Sequence, residues 1–190
     1  MEAFFSSTLG VAIAEIGDKT QLLALFLAAR FAQKNAIVMG IFVATLLNHV
    51  LSAALGVWMA QFISPDMMKW IVGGSFILVG LWLLKPDEDD NPDNRWLKYG
   101  AFGATVWLFF IAEIGDKTQI ATVLLAAKYQ ELFMVVAGSI LGMMLANVPV
   151  VYLGEMLLKK IPAKAVRISA CVLFCALGIV TLLSSGISLH

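Results

Sequence analysis

Charge is what this sequence has least of. Of its 190 residues 14% are charged and 61% are hydrophobic, where a soluble domain carries about 25% charge. Mean hydropathy is +0.89. A soluble chain this small has too much surface to cover with so few polar groups. The composition therefore excludes an ordinary soluble domain and predicts an all-α integral membrane protein. Basic excess is also lacking: Lys and Arg number 13, Asp and Glu 13, so no nucleic-acid partner is expected. Cysteine is scarce. Cys171 and Cys175 lie four apart on one apolar stretch and share a helix face, a pattern of neither a disulfide framework nor a zinc site. The opening Met1-Glu2-Ala3-Phe4-Phe5 has no Lys or Arg, which argues against a cleaved signal peptide despite Ala12-Ile13-Ala14. Room is short as well. A spanning helix takes about 20 residues; six would use nearly the whole chain, so an ATP-driven pump contained in this chain alone is not expected.

What is present is a series of apolar runs broken by turn and charge signals. They predict six spans near residues 4–29, 36–62, 67–84, 98–127, 132–158 and 164–185. The one long polar stretch, Lys85-Pro86-Asp87-Glu88-Asp89-Asp90-Asn91-Pro92-Asp93, divides the chain near its middle. Orientation follows from Lys and Arg in the short loops. One side holds Arg30, Lys34, Lys85, Arg95, Lys98, Lys159, Lys160, Lys164 and Arg167; the other holds Lys69 and Lys128. The first side is placed in the cytoplasm, with both termini outside.

The chain repeats itself at an offset of 98 residues. Ile13-Ala14-Glu15-Ile16-Gly17-Asp18-Lys19-Thr20-Gln21 recurs as Ile111-Ala112-Glu113-Ile114-Gly115-Asp116-Lys117-Thr118-Gln119. The register continues without gaps: Gly40 answers to Gly138, Gly56 to Gly154 and Gly80 to Gly178. Residues 1–84 form one three-span repeat, 85–97 an acidic cytoplasmic loop and 98–190 a second repeat. An odd number of spans inverts the second copy relative to the first. The predicted fold is six transmembrane helices as two inverted three-helix repeats, a plan that in secondary transporters places the binding site at the repeat interface near the midplane.

The motif puts Glu15, Asp18, Lys19 and Glu113, Asp116, Lys117 in the middle of the first and fourth spans. Each charge there costs roughly 2.5–3.5 kcal/mol on insertion scales, so the groups must pair, face water or bind an ion. On a continuous helix Glu15, Asp18 and Gln21 share a face, as do Glu113, Asp116 and Gln119. Gly17 and Gly115 weaken the helix between the acids. Convergence of the two copies gives four carboxylates and two amides, an all-oxygen site suited to Ca²⁺, Mg²⁺ or Mn²⁺. The competing structural reading is that Glu15–Lys19 and Glu113–Lys117 are i,i+4 ion pairs. Four acids against two lysines leave a negative excess that pairing does not explain, so the candidate metal ligands are Glu15, Asp18, Gln21, Glu113, Asp116 and Gln119.

Asn48 and His49 in the second span, and Asn147 (the repeat mate of His49) in the fifth, weigh equally as extra ligands or a proton relay and as interhelical hydrogen bonds. Thr20 and Thr118 donate either to the acids or back to their own helix. Gly138 and Gly142 read as close helix packing, and Met143 and Met144 as core filling. Glu155 reads as interfacial.

Two copies of Glu-x-Gly-Asp-Lys-Thr, one per three-helix half, resemble the family once catalogued as uncharacterised protein family 0016, the Gdt1-type cation transporters, which includes bacterial manganese exporters. The resemblance covers the whole chain. It implies Mn²⁺ export across a bacterial inner membrane, with Ca²⁺ as a second substrate, exchange with protons, and no resident cofactor; the motif acids carry over as Glu15, Asp18, Glu113 and Asp116. Assembly as a homodimer is left open. Three other classes compete with this reading. Asp-Lys-Thr is shared with phosphorylated ATPases, but here it lies in apolar spans. A channel or structural subunit would ignore counter-gradients or tolerate loss of the acids. A small-solute exporter would want aromatic or mixed polar lining.

Overall fold

A computed structural model describes residues 1–85, 94–154 and 163–183. The central acidic run, Glu155, Lys159 and Lys160 lie outside the described residues. Those described are helical, with no strand among them: α1 Glu2–Glu15, α2 Lys19–Arg30, α3 Lys34–Ala60, α4 Pro65–Trp82, a 3₁₀ turn Asn94–Tyr99, α5 Gly100–Glu113, α6 Lys117–Tyr129, α7 Leu132–Leu153 and α8 Ala163–Leu183.

Local sequence sets several boundaries. Ser64 caps α4 by accepting from the Met67 N–H at 3.4 Å, with Pro65 at the first position, where its missing N–H costs nothing. Gln130 closes α6 in the left-handed region, φ 53°. The largest difference from the sequence reading is in the first and fourth predicted spans. Neither is one helix: α1 stops at Glu15 and α2 starts at Lys19, while α5 stops at Glu113 and α6 starts at Lys117. The second break bends the chain by 70°. Among the described residues two helices are long and apolar enough to cross a membrane, Lys34–Ala60 and Leu132–Leu153; the bent pair Trp96–Glu113 and Lys117–Tyr129 gives a third if it is one span.

The halves interlock. α1 packs on α7 and α5 on α3; α2 meets α7 and α6 meets α3; α3 crosses α7, and α4 lies on α8. These contacts recur with the halves exchanged. A Cβ added at Gly138 would sit 2.4 Å from Phe4 O and 3.0 Å from Ser7 Cβ; one at Gly40 would sit 3.0 Å from Phe102 O and 2.6 Å from Thr105 Cβ. Phe4 and Phe102, like Ser7 and Thr105, are related by the 98-residue offset. Gly138 and Gly142 thus mark the close approach of α7 to α1 that their spacing predicts.

The packing also sorts polarity. Ser7, Thr45, Asn48, His49, Ser52, Thr105, Thr122, Ser139 and Asn147 are buried, while Leu51, Leu55 and Trp58 on α3 and Leu141 and Leu145 on α7 are exposed. A polar interior inside an apolar surface is the arrangement a bilayer favours, since lipid offers buried polar groups no partner.

Candidate cation site

Each motif copy builds the same backbone. Ile16 and Ile114 leave the helix in extended conformation, Gly17 and Gly115 take φ of 81° and 73°, and Asp18 and Asp116 return to extended conformation as N-caps of α2 and α6. Positive φ is open to glycine at little cost. The glutamine fixes the break: Gln21 Oε1 accepts from the Gly17 N–H at 2.8 Å, and Gln119 Oε1 from the Gly115 N–H at 2.6 Å. The break explains why the shared-helix-face argument fails. Glu15 ends one helix and Asp18 begins another, so their proximity comes from the turn.

Three acids meet. Glu15, Asp18 and Asp116 each offer a carboxylate oxygen, the three atoms lying within 4.8 Å of one another, and the residues are 0%, 5% and 4% exposed. Thr20 Oγ1 donates to Glu15 Oε1. Thr118 Oγ1 donates to Asp116 Oδ2 at 2.9 Å, so both threonines serve the acids. Glu113, equally buried, is not in the trio. Its oxygens accept from Thr45 Oγ1 at 3.2 Å and Asn48 Nδ2 at 3.1 Å, and His49 Nε2 lies 4.0 Å away.

The i,i+4 ion pairs do not form. Lys19 Nζ reaches across the halves to Asp116 Oδ1 at 3.5 Å. Lys117 Nζ donates to Lys85 O at 2.9 Å and lies 5.8 Å from the Trp82 ring centroid. Gln21 also donates through Nε2 to Ala146 O at 2.9 Å. Asn147 Nδ2 donates to Glu15 Oε1 at 3.5 Å and Met143 O at 3.2 Å. His49 Nδ1 shares a hydrogen bond of 3.0 Å with Thr122 Oγ1.

Sequence reasoning missed Thr45, Thr122 and Ser139 as members of this interior. A signal was present for the first: Thr45, Asn48 and Ser52 recur at helical spacing inside an apolar run, a polar stripe on one face.

A trio of buried carboxylates with one nearby ammonium can hold a hard cation, since carboxylate oxygens are its natural ligands. Comparison with known proteins agrees in kind. The family model described as the divalent cation/proton antiporter GDT1 matches residues 3–91 and 101–188. A Vibrio cholerae serotype O1 protein named "Putative manganese exporter" is 47% identical over 172 residues, 90% of this chain and 86% of its own. "GDT1-like protein 5" of Arabidopsis thaliana is 28% identical over 222 residues, 97% of this chain and 96% of its own. No solved structure matches.

Proposed function

The chain belongs to the GDT1 family of divalent cation/proton antiporters, and on that premise we propose that it is a membrane-embedded exporter of Mn²⁺, with Ca²⁺ as a second substrate, driven by exchange with protons. The observation that carries the reading is the meeting of Glu15 and Asp18 from one motif copy with Asp116 from the other. Three carboxylates, Lys19 and one divalent ion sum to zero charge, which is what a low-dielectric site requires. Glu113, held apart by Thr45 and Asn48, is a fourth acid that keeps this balance when it carries a proton. Gln21 and Gln119 add amide oxygens, each of which keeps a lone pair beyond the one its glycine N–H occupies.

Metal and protons compete for the same carboxylates, because a carboxylate must be ionised to ligate. Loading the ion expels protons, and its release outside lets them return. Exchanging one divalent ion for fewer than two protons moves net positive charge outward, against an inside-negative potential at about 2.3 kcal/mol per charge per 100 mV; two or more protons remove that cost. We place both termini outside and six spans in two inverted repeats, residues 1–84 and 98–190, rocking about the site. The contacts exchanged between halves support this plan, as does the nine-residue motif repeated at the 98-residue offset. Bacterial ancestry of the Vibrio relative supports an inner-membrane location.

The test is Mn²⁺ uptake into everted vesicles. Uptake is expected to rise when the lumen is made acidic and to collapse with a protonophore. Uptake indifferent to the imposed gradient would overturn proton coupling.

A further inference from the structure

We propose that Asn147 is a cation ligand in this site and helps set which divalent ion is taken. The inference rests on the functional reading above and deepens it. Asn147 sits on α7, the helix packed against α1, and is 0% exposed. Its two amide hydrogens are committed, one to Glu15 Oε1 and one to Met143 O. Both of those atoms are acceptors, so rotating the amide would set oxygen against oxygen; the assignment of Nδ2 and Oδ1 is fixed by chemistry. Oδ1 is then left buried with no hydrogen-bond partner among the described residues, and so is Glu15 Oε2. These two oxygens belong to hydrogen-bonded side chains, Glu15 being beside Asp18 and Asp116, and no described protein group donates to either. In the proposed exchange a proton on Glu15 meets that need in the empty site, and a divalent ion meets it in the loaded one.

The repeat provides an internal control. The mate of Asn147 is His49. There Nδ1 is engaged by Thr122, and the neighbouring acid, Glu113, has both oxygens hydrogen-bonded. One position thus offers an oxygen beside an incompletely bonded acid, and its mate offers an imidazole beside a satisfied one. An oxygen at residue 147 suits hard ions, Ca²⁺ included, whereas imidazole nitrogen favours transition metals.

Wild type, Asn147→Ala, Asn147→Asp and Asn147→His are compared in proteoliposomes for Mn²⁺ and Ca²⁺ transport, with monodispersity in detergent as the check of folding. Asn147→Ala is expected to raise KM for both ions roughly 10–100-fold, a loss typical of metal-site residues, with less change in kcat. Asn147→Asp keeps size and oxygen and is expected to retain KM within a few-fold of wild type. Asn147→His is expected to raise the Mn²⁺:Ca²⁺ ratio about tenfold. An unchanged KM in folded Asn147→Ala, or an unchanged ratio in folded Asn147→His, overturns the proposal. Should Asn147→Ala fail the folding check, the Asp and His variants decide it. Wild-type vesicles that carry neither ion would overturn the functional reading instead.

Discussion

Two stretches of this molecule have the same nine residues and different surroundings, and the contrast separates what local sequence decides from what packing decides. Residues 13–21 and 111–119 make the same helix stop, the same positive-φ glycine and the same glutamine bond across the break. Those features depend only on residues inside the motif. The acids differ. Glu113 is held by Thr45 and Asn48, whose mates across the repeat are Met143 and Ala146. Neither of those side chains can donate a hydrogen bond, so Glu15 is left with Thr20 and Asn147, and one oxygen is unpaired. The lysines differ too: Lys19 crosses to Asp116, whereas Lys117 turns to Lys85 O and the face of Trp82. One copy presents its glutamate to the trio; the other stores its glutamate in a hydrogen-bonded niche.

The sharpest way to break this contrast is to neutralise one glutamate at a time. Glu15→Gln is expected to raise the KM for Mn²⁺ on the order of 100-fold, and Glu113→Gln about tenfold, the two ends of the span over which metal-site changes act. Equal losses, or the larger loss at Glu113, would mean that the niche around Glu113 does not set it apart. The readout is initial-rate Mn²⁺ uptake across a concentration series, with protein level in the vesicles as the control.

How much of this was legible in the sequence follows from the same distinction. The helical class, the doubled motif and the acids rest on composition and local repetition, and the acids do lie buried. The breaks were half legible: Gly17 and Gly115 signalled weakness, but a continuous apolar run carried the periodicity through them. Partnering was not legible. That Lys19 meets Asp116 and not Glu15 depends on how α2 and α6 are brought together, which no spacing within nine residues encodes. Asn48 and Asn147 looked alike as buried amides; the structure gives one to Glu113 as a donor and leaves the other with an unpaired oxygen. The distinction lies in what faces them from the opposite half.

A second contrast concerns the glutamines. Gln21 is buried and also bonds Ala146 O, tying α2 to α7, whereas Gln119 is half-buried and its glycine partner is exposed. Gln21→Ala is expected to lower stability by roughly 1–3 kcal/mol, because buried polar partners lose their bonds. Gln119→Ala is expected to cost about 0.5–1.5 kcal/mol, since water can replace its amide. Thermal unfolding in detergent measures both, and a larger loss at Gln119 would show that the two breaks are not held as described.

The glycines provide the smallest difference between the two copies and the control for the rest. Gly17 and Gly115 adopt φ of 81° and 73°, where a Cβ costs about 1–2 kcal/mol through its clash with the carbonyl. A Cβ on Gly115 meets no atom within 4 Å, so conformational strain is the whole penalty there. Gly17 is exposed, as Gly115 is, so Gly17→Ala and Gly115→Ala are expected to cost the same within a few tenths of a kcal/mol, in contrast to the glutamate and glutamine pairs. Equal losses in thermal unfolding would locate the asymmetry in the side-chain partners alone. A Gly17→Ala loss well above that of Gly115→Ala would place part of it in the backbone, and the two breaks would then differ in shape as well as in surroundings.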